Sequence, residues 1–179
     1  MEALMFKRQT LHTLTKRLKE SRKFIQVLSG PRQAGKTTVA LQAIKEMDME
    51  SHYVSADEPI LKNTAWIEQQ WEIGRMKAKK SGKKAILILD EIQKMHNWSE
   101  TVKKLWDEDT KSKIQLLVVI LGSSPLLVQK GLTESLAGRF EVIPVTHWTF
   151  EEMHKAFNFD VDEYIYYGGY PGGISLIND

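Results

Sequence analysis

The sequence predicts an α/β domain in which helices cover both faces of a parallel sheet. Short, almost wholly apolar runs at 24–28, 85–89 and 114–121 read as strands buried on both sides, and segments of helical periodicity separate them. The first run ends in a glycine-containing loop that leads directly into an amphipathic helix. The second delivers Asp90 and Glu91 at its C-terminal end, where open α/β sheets do their chemistry.

Taken in order, Leu11, Leu14 and Leu18 recur at i, i+3 and i+7, so residues 8–20 form an amphipathic helix with a basic outer face. Phe24-Ile25-Gln26-Val27-Leu28 is the first strand, and Ala40, Ala43, Ile44 and Met47 mark a helix starting near Lys36. His52-Tyr53-Val54-Ser55 is the second strand, closed by the turn Asp57-Glu58-Pro59. Ile67, Trp71, Gly74 and Ala78 define a helix whose terminal lysines suit the negative end of its dipole before Ser81-Gly82. After the strand at 85–89, Val102, Leu105 and Trp106 mark another helix, and the strand from Ile114 to Leu121 runs into Gly122-Ser123-Ser124. Ser124-Pro125 resembles an N-cap followed by proline at the first helical position, so a helical turn starts there, limited by Gly131 and Gly138. Phe140 to Val145 is the last strand, and Pro144 within it argues for a sheet edge. From Thr149 the chain is acidic and aromatic. The expected organisation is a basic helical segment at 1–23 within the same domain, a core at 24–150, and the start of a C-terminal extension at 151–179.

The bulk numbers fit. With 179 residues, 42% hydrophobic and 27% charged, the chain has the composition of one ordinary globular domain. No apolar run reaches the ~18 residues of a bilayer span, and Met1 to Phe6 lacks the apolar core of a secretory signal, so a cytoplasmic protein without a membrane partner is expected. Zero cysteines exclude disulfides, thiolate metal sites and cysteine nucleophiles. His12, His52, His96, His147 and His154 show no ligand-like spacing, which leaves oxygen as the expected metal donor. Trp66, Trp71, Trp98, Trp106 and Trp148 fall mostly on helical stripes, where core packing is the default.

Gly30-Pro31-Arg32-Gln33-Ala34-Gly35-Lys36-Thr37 satisfies G-x-x-x-x-G-K-[ST] in the required strand-loop-helix context. Its backbone N–H groups and the helix N-terminus suit the phosphates of a nucleoside triphosphate. Lys36 reaches the β- and γ-phosphates, the Thr37 hydroxyl ligates magnesium, and Thr38 is placed for the α-phosphate. A bare glycine turn is the alternative. Asp90, ending an apolar strand, needs a cation, and magnesium held by Thr37 supplies one. Glu91 is placed to polarise an attacking water, which favours hydrolysis over phosphotransfer; the alternative is an exposed pair capping the next element. The guanine-reading Asn-Lys-x-Asp tetrad is absent, so ATP is preferred to GTP. Ser123, after another central strand, is a candidate sensor of the γ-phosphate, against a turn-forming serine pair as the alternative.

From Gly30 to about Glu152 these motifs resemble those of the AAA+ ATPases, in particular a bacterial and archaeal group with a Gly-Pro-Arg-x-x-Gly-Lys-Thr loop. The likeness includes Leu89 to Lys94 followed by Trp98, Gly122-Ser123-Ser124, Leu136-Ala137-Gly138-Arg139, Pro144, Phe150-Glu151 and Tyr167 to Pro171. The resemblance implies a five-stranded sheet of order 5-1-4-3-2, with Walker A roles for Gly30 to Thr37, Walker B roles for Asp90 and Glu91, and a sensor near Ser123. It also places at Arg139 an arginine that can reach phosphates of the same or a neighbouring subunit; a surface or ion-paired arginine is the alternative. Family members continue past the Gly-Gly-Tyr-Pro segment into a helical lid, which is not evident before Asp179.

The resulting expectation is a magnesium-dependent ATPase acting on a partner domain or a homo-oligomer. A nucleotide-operated switch with little turnover is the alternative, and a small-molecule kinase a more distant one. Nucleic acid is a weaker partner, resting on basic residues in the first 23 positions and on Lys77, Lys79, Lys80, Lys83 and Lys84.

Overall fold

The computed structural model describes residues 6–57, 63–123 and 135–176. Five strands, β1 (Ile25–Ser29), β2 (Ser51–Ser55), β3 (Ala85–Asp90), β4 (Leu116–Gly122) and β5 (Phe140–Pro144), pair in parallel in the order β2-β3-β4-β1-β5. This is the expected 5-1-4-3-2 sheet, with Pro144 on its edge opposite Ser29. Ile114 falls outside β4 because its N–H closes the preceding turn onto the Asp109 carbonyl.

The central strands β3 and β4 are buried along their whole length, as continuous apolar runs require. Their alternating side chains feed two cores. Leu87, Leu89, Val118 and Ile120 meet Ile67, Trp71, Val102 and Trp106 from α3 (Thr64–Ser81) and α4 (Trp98–Lys111). Ile86, Ile88, Leu117 and Val119 meet Leu11, Leu14, Val39 and Ala40 from α1 (Gln9–Lys19) and α2 (Lys36–Met47). Trp71, Trp98, Trp106 and Trp148 are all buried.

Two short helices, α5 (Phe150–Phe157) and α6 (Val161–Tyr167), follow the sheet. Each opens on a reciprocal capping box, Thr149 with Glu152 and Asp160 with Glu163. They enclose a small third core of Trp148, Met153 and Phe159, against which Phe6 packs. The helical turn expected at Ser124-Pro125 and residues Glu58-Pro59 lie outside the described residues. Among those described, no helix is long and apolar enough to cross a membrane.

Candidate functional site

The loop after β1 is shaped by its glycines. A Cβ on Gly30 would lie 1.9 Å from the Val145 carbonyl oxygen, so no side chain fits there. Gln33 and Gly35 take φ of 61° and 88°, folding the chain back so that α2 begins at Lys36. Among the described residues no side chain caps α2, which leaves its opening N–H groups free to bind an anion.

Lys36 is 6% exposed, and its Nζ donates to the carbonyls of Gly30 at 2.9 Å and Pro31 at 2.6 Å. Burial lowers its pKa, opposed by the charges of Glu91 and Asp90. Asp90 is equally buried and is brought to α2 by the register of β3. Thr37 Oγ1 and Tyr53 Oη both donate to Asp90 Oδ2, at 2.9 and 2.8 Å. Burial nonetheless raises the Asp90 pKa, these two hydrogen bonds opposing it and nearby Glu91 adding to it. A buried carboxylate beside a hydroxyl and a second carboxylate is an all-oxygen donor set that suits a hard divalent cation such as magnesium.

Glu91 leaves the strand with φ of 53°, and Ile92 and Met95, both buried, pin the following 3₁₀ turn Ile92–Lys94 to the core. Ser123 Oγ and Gln93 Nε2 each donate to Glu91 Oε2 at 2.7 Å. Lys94 Nζ stands 3.7 Å from the same oxygen and also pairs with Asp57. These groups border one open cleft of about 370 Å³, lined by Arg32, Gln33, Gly35, Lys36, Thr37, Thr38, Asp57, Asp90, Glu91 and Ser123. Gly30, Pro31 and Ala34 support the loop from behind, Ala34 being buried in the α1-α2 core.

Arg139 is not brought to this cleft. Its guanidinium grips Asp107 at 2.8 and 3.0 Å, and its carbonyl accepts from Ile25 N at the start of β1. That is the opposite end of the sheet, four residues or roughly 13 Å before Ser29 at ~3.3 Å per residue.

Three contributors escaped the sequence reading. Tyr53 lies two residues before Ser55, which pairs with Asp90, so the pleat sets Tyr53 on the Asp90 side; only the strand register reveals this. Asp57 ends up in the cleft although it reads as turn chemistry. Arg8, assigned to a basic outer helix face, is instead 5% exposed. It donates to the Ala34 carbonyl of the loop at 2.8 Å and grips Glu152 at 2.8 and 2.9 Å. In the second basic cluster, Lys77 bonds the Ser51 carbonyl and Lys84 those of Lys19 and Glu20.

Residues 22–154 match the model of a family described as an AAA domain. An uncharacterised protein of Haemophilus influenzae is 28% identical over 165 residues, 83% of this chain and 40% of its own length. An uncharacterised protein of Methanocaldococcus jannaschii is 31% identical over 175 residues, 87% of this chain and 37% of its own. The chain thus spans about two fifths of these relatives. Among solved structures, a Walker-type ATPase of Pyrococcus abyssi superposes with a TM-score of 0.67 at 14% identity, covering 95% of this chain and 65% of that one. The RuvB Holliday junction branch migration motor of Thermotoga maritima gives 0.54 at 22% identity, covering 82% and 45%. At such identities the structural likeness speaks for the fold alone. The family match, the sheet order and the glycine-shaped phosphate loop agree, and the chain belongs to the AAA domain family as a P-loop ATPase core of the AAA+ type.

Proposed function

We propose that this chain binds ATP with magnesium and hydrolyses it. The observation that carries the reading is the 2.9 Å bond from Thr37 Oγ1 to Asp90 Oδ2, which joins the phosphate loop to the acidic strand end at one point of one cleft. Loop and α2 N–H groups hold the phosphates, and Lys36 exchanges the Gly30 and Pro31 carbonyls for the β- and γ-phosphates. Thr37 and Asp90 would hold magnesium, which when bound offsets phosphate charge. Glu91, in the Walker B position, takes a proton from water as that water's oxygen bonds to the γ-phosphorus. The bond from that phosphorus to the bridging oxygen breaks, and ADP leaves with the bridging oxygen. Ser123, already bonded to Glu91, reports the γ-phosphate. Arg139 is held by Asp107 at the end of the sheet away from its own cleft, so a transition-state role for it would belong to a neighbouring copy.

The test measures ATP binding and phosphate release, with and without DNA, for wild type, Lys36→Ala and Glu91→Gln. Lys36→Ala should lose ATP binding, whereas Glu91→Gln should bind normally and release phosphate roughly 100-fold more slowly. Normal binding by Lys36→Ala would sink the site assignment. Binding without turnover in wild type would favour a nucleotide-operated switch, and stimulation by DNA would make nucleic acid the partner.

A further inference from the structure

Gln93 has no task in the chemistry above, yet it is held against Glu91 at visible cost. Its Oε1 is buried without a hydrogen-bond partner among the described residues, while its Nε2 donates to Glu91. The amide orientation follows from chemistry, because the opposite one would set a carbonyl oxygen against a carboxylate. Glu91 itself keeps a left-handed φ of 53°, uncommon for a side-chain-bearing residue. Such unrelieved costs persist where a site requires the geometry they secure.

Among the described residues, every hydrogen bond to the Glu91 carboxylate converges on Oε2 and none reaches Oε1. Lys94, anchored on Asp57, lies on the Oε2 side as well. The two donors differ in where they are attached. Ser123 immediately follows β4, a separate strand, and its single hydroxyl proton is no longer available to Glu91 once it turns to a γ-phosphate. Gln93 belongs to the same turn as Glu91 and moves with it.

We propose that Gln93 is a positioning residue for hydrolysis. It holds Glu91 by Oε2 when Ser123 is engaged elsewhere, which keeps Oε1 as the basic oxygen presented to water. The inference rests on the assignment of Glu91 as the base. It is tested by measuring kcat, the equilibrium Kd for ATP and Tm for wild type, Gln93→Met, Gln93→Glu and Glu91→Gln. Gln93→Met keeps the length without the donor and should lower kcat about tenfold, with Kd within about twofold and Tm unchanged. Gln93→Glu replaces the donor by a like charge and should fall further. Wild-type kcat in Gln93→Met, or a loss matched by Kd or Tm, overturns the inference while leaving hydrolysis intact. Turnover by Glu91→Gln at the wild-type rate removes the base and this inference with it.

Discussion

Asp90 concentrates the tension of the site in one carboxylate. It is 6% exposed, its pKa is raised by burial, and the side chains that hydrogen-bond to it among the described residues are the hydroxyls of Thr37 and Tyr53. A carboxyl whose folded-state pKa lies above its unfolded value stabilises the fold only at low pH, so at neutral pH the charged form works against folding. Asp90→Asn keeps an acceptor for Thr37 and Tyr53 and removes the buried charge. It should raise the nucleotide-free Tm by roughly 2–4 °C, the shift that about 1 kcal/mol produces in a domain of this size, while weakening magnesium-dependent ATP binding. Calorimetry with and without Mg-ATP checks both. The motif spacing makes Asp90, Thr37 and Lys36 legible at this scale. Tyr53 was not legible, because a tyrosine in an edge strand carries no signal until pairing sets it beside Asp90.

At the scale of elements, the phosphate loop is tied to the segment after the sheet through Arg8. This one guanidinium reaches Ala34 in the loop, the Thr146 carbonyl at 3.2 Å and the Glu152 carboxylate in α5. Burial alone would raise the Glu152 pKa, but the Arg8 hydrogen bonds and the Thr149 N–H hold it below the ordinary 4.5. A depressed folded-state pKa contributes stability that is present above the unfolded value and lost as pH falls through the folded one. Wild-type stability should therefore decline as pH drops below about 4.5, and Glu152→Gln should be less stable at pH 7 with a flatter acid limb, read from urea midpoints across pH. The capping boxes of α5 and α6 were present in the letters as Thr149-x-x-Glu152 and Asp160-x-x-Glu163. In α5 Phe150, Met153 and Phe157 also recur at i, i+3 and i+7, whereas the seven residues of α6 bury none of their side chains and rest on the cap alone for a sequence signal.

For the whole molecule, the cleft joins groups from the C-terminal end of β3, from the segments that follow β2 and β4, and from the start of α2, so a ligand there ties both cores together. Mg-ATP at 100 times its Kd should stabilise the chain by about 2.7 kcal/mol and raise Tm by roughly 5–10 °C. Lys36→Ala should abolish that shift in a thermal scan, whereas Glu91→Gln should retain it. An unshifted wild type would count against nucleotide binding at this cleft.

The sequence by itself determined what depends on local spacing and on periodicity. The buried strands, the glycine-shaped loop, the carboxylates at a strand end and the edge placement of Pro144 each follow from sterics or burial acting within a few residues. Only the tertiary structure decided which distant groups share a charge. Tyr53 and Asp57 gather round the acidic strand end, Arg8 turns inward to the loop, and Arg139 pairs with Asp107 at the far end of the sheet. The physical reason is that a polar side chain's partner is set by strand order and register, which bring together residues tens of positions apart, whereas an apolar stripe needs only its own helix or strand to be recognised.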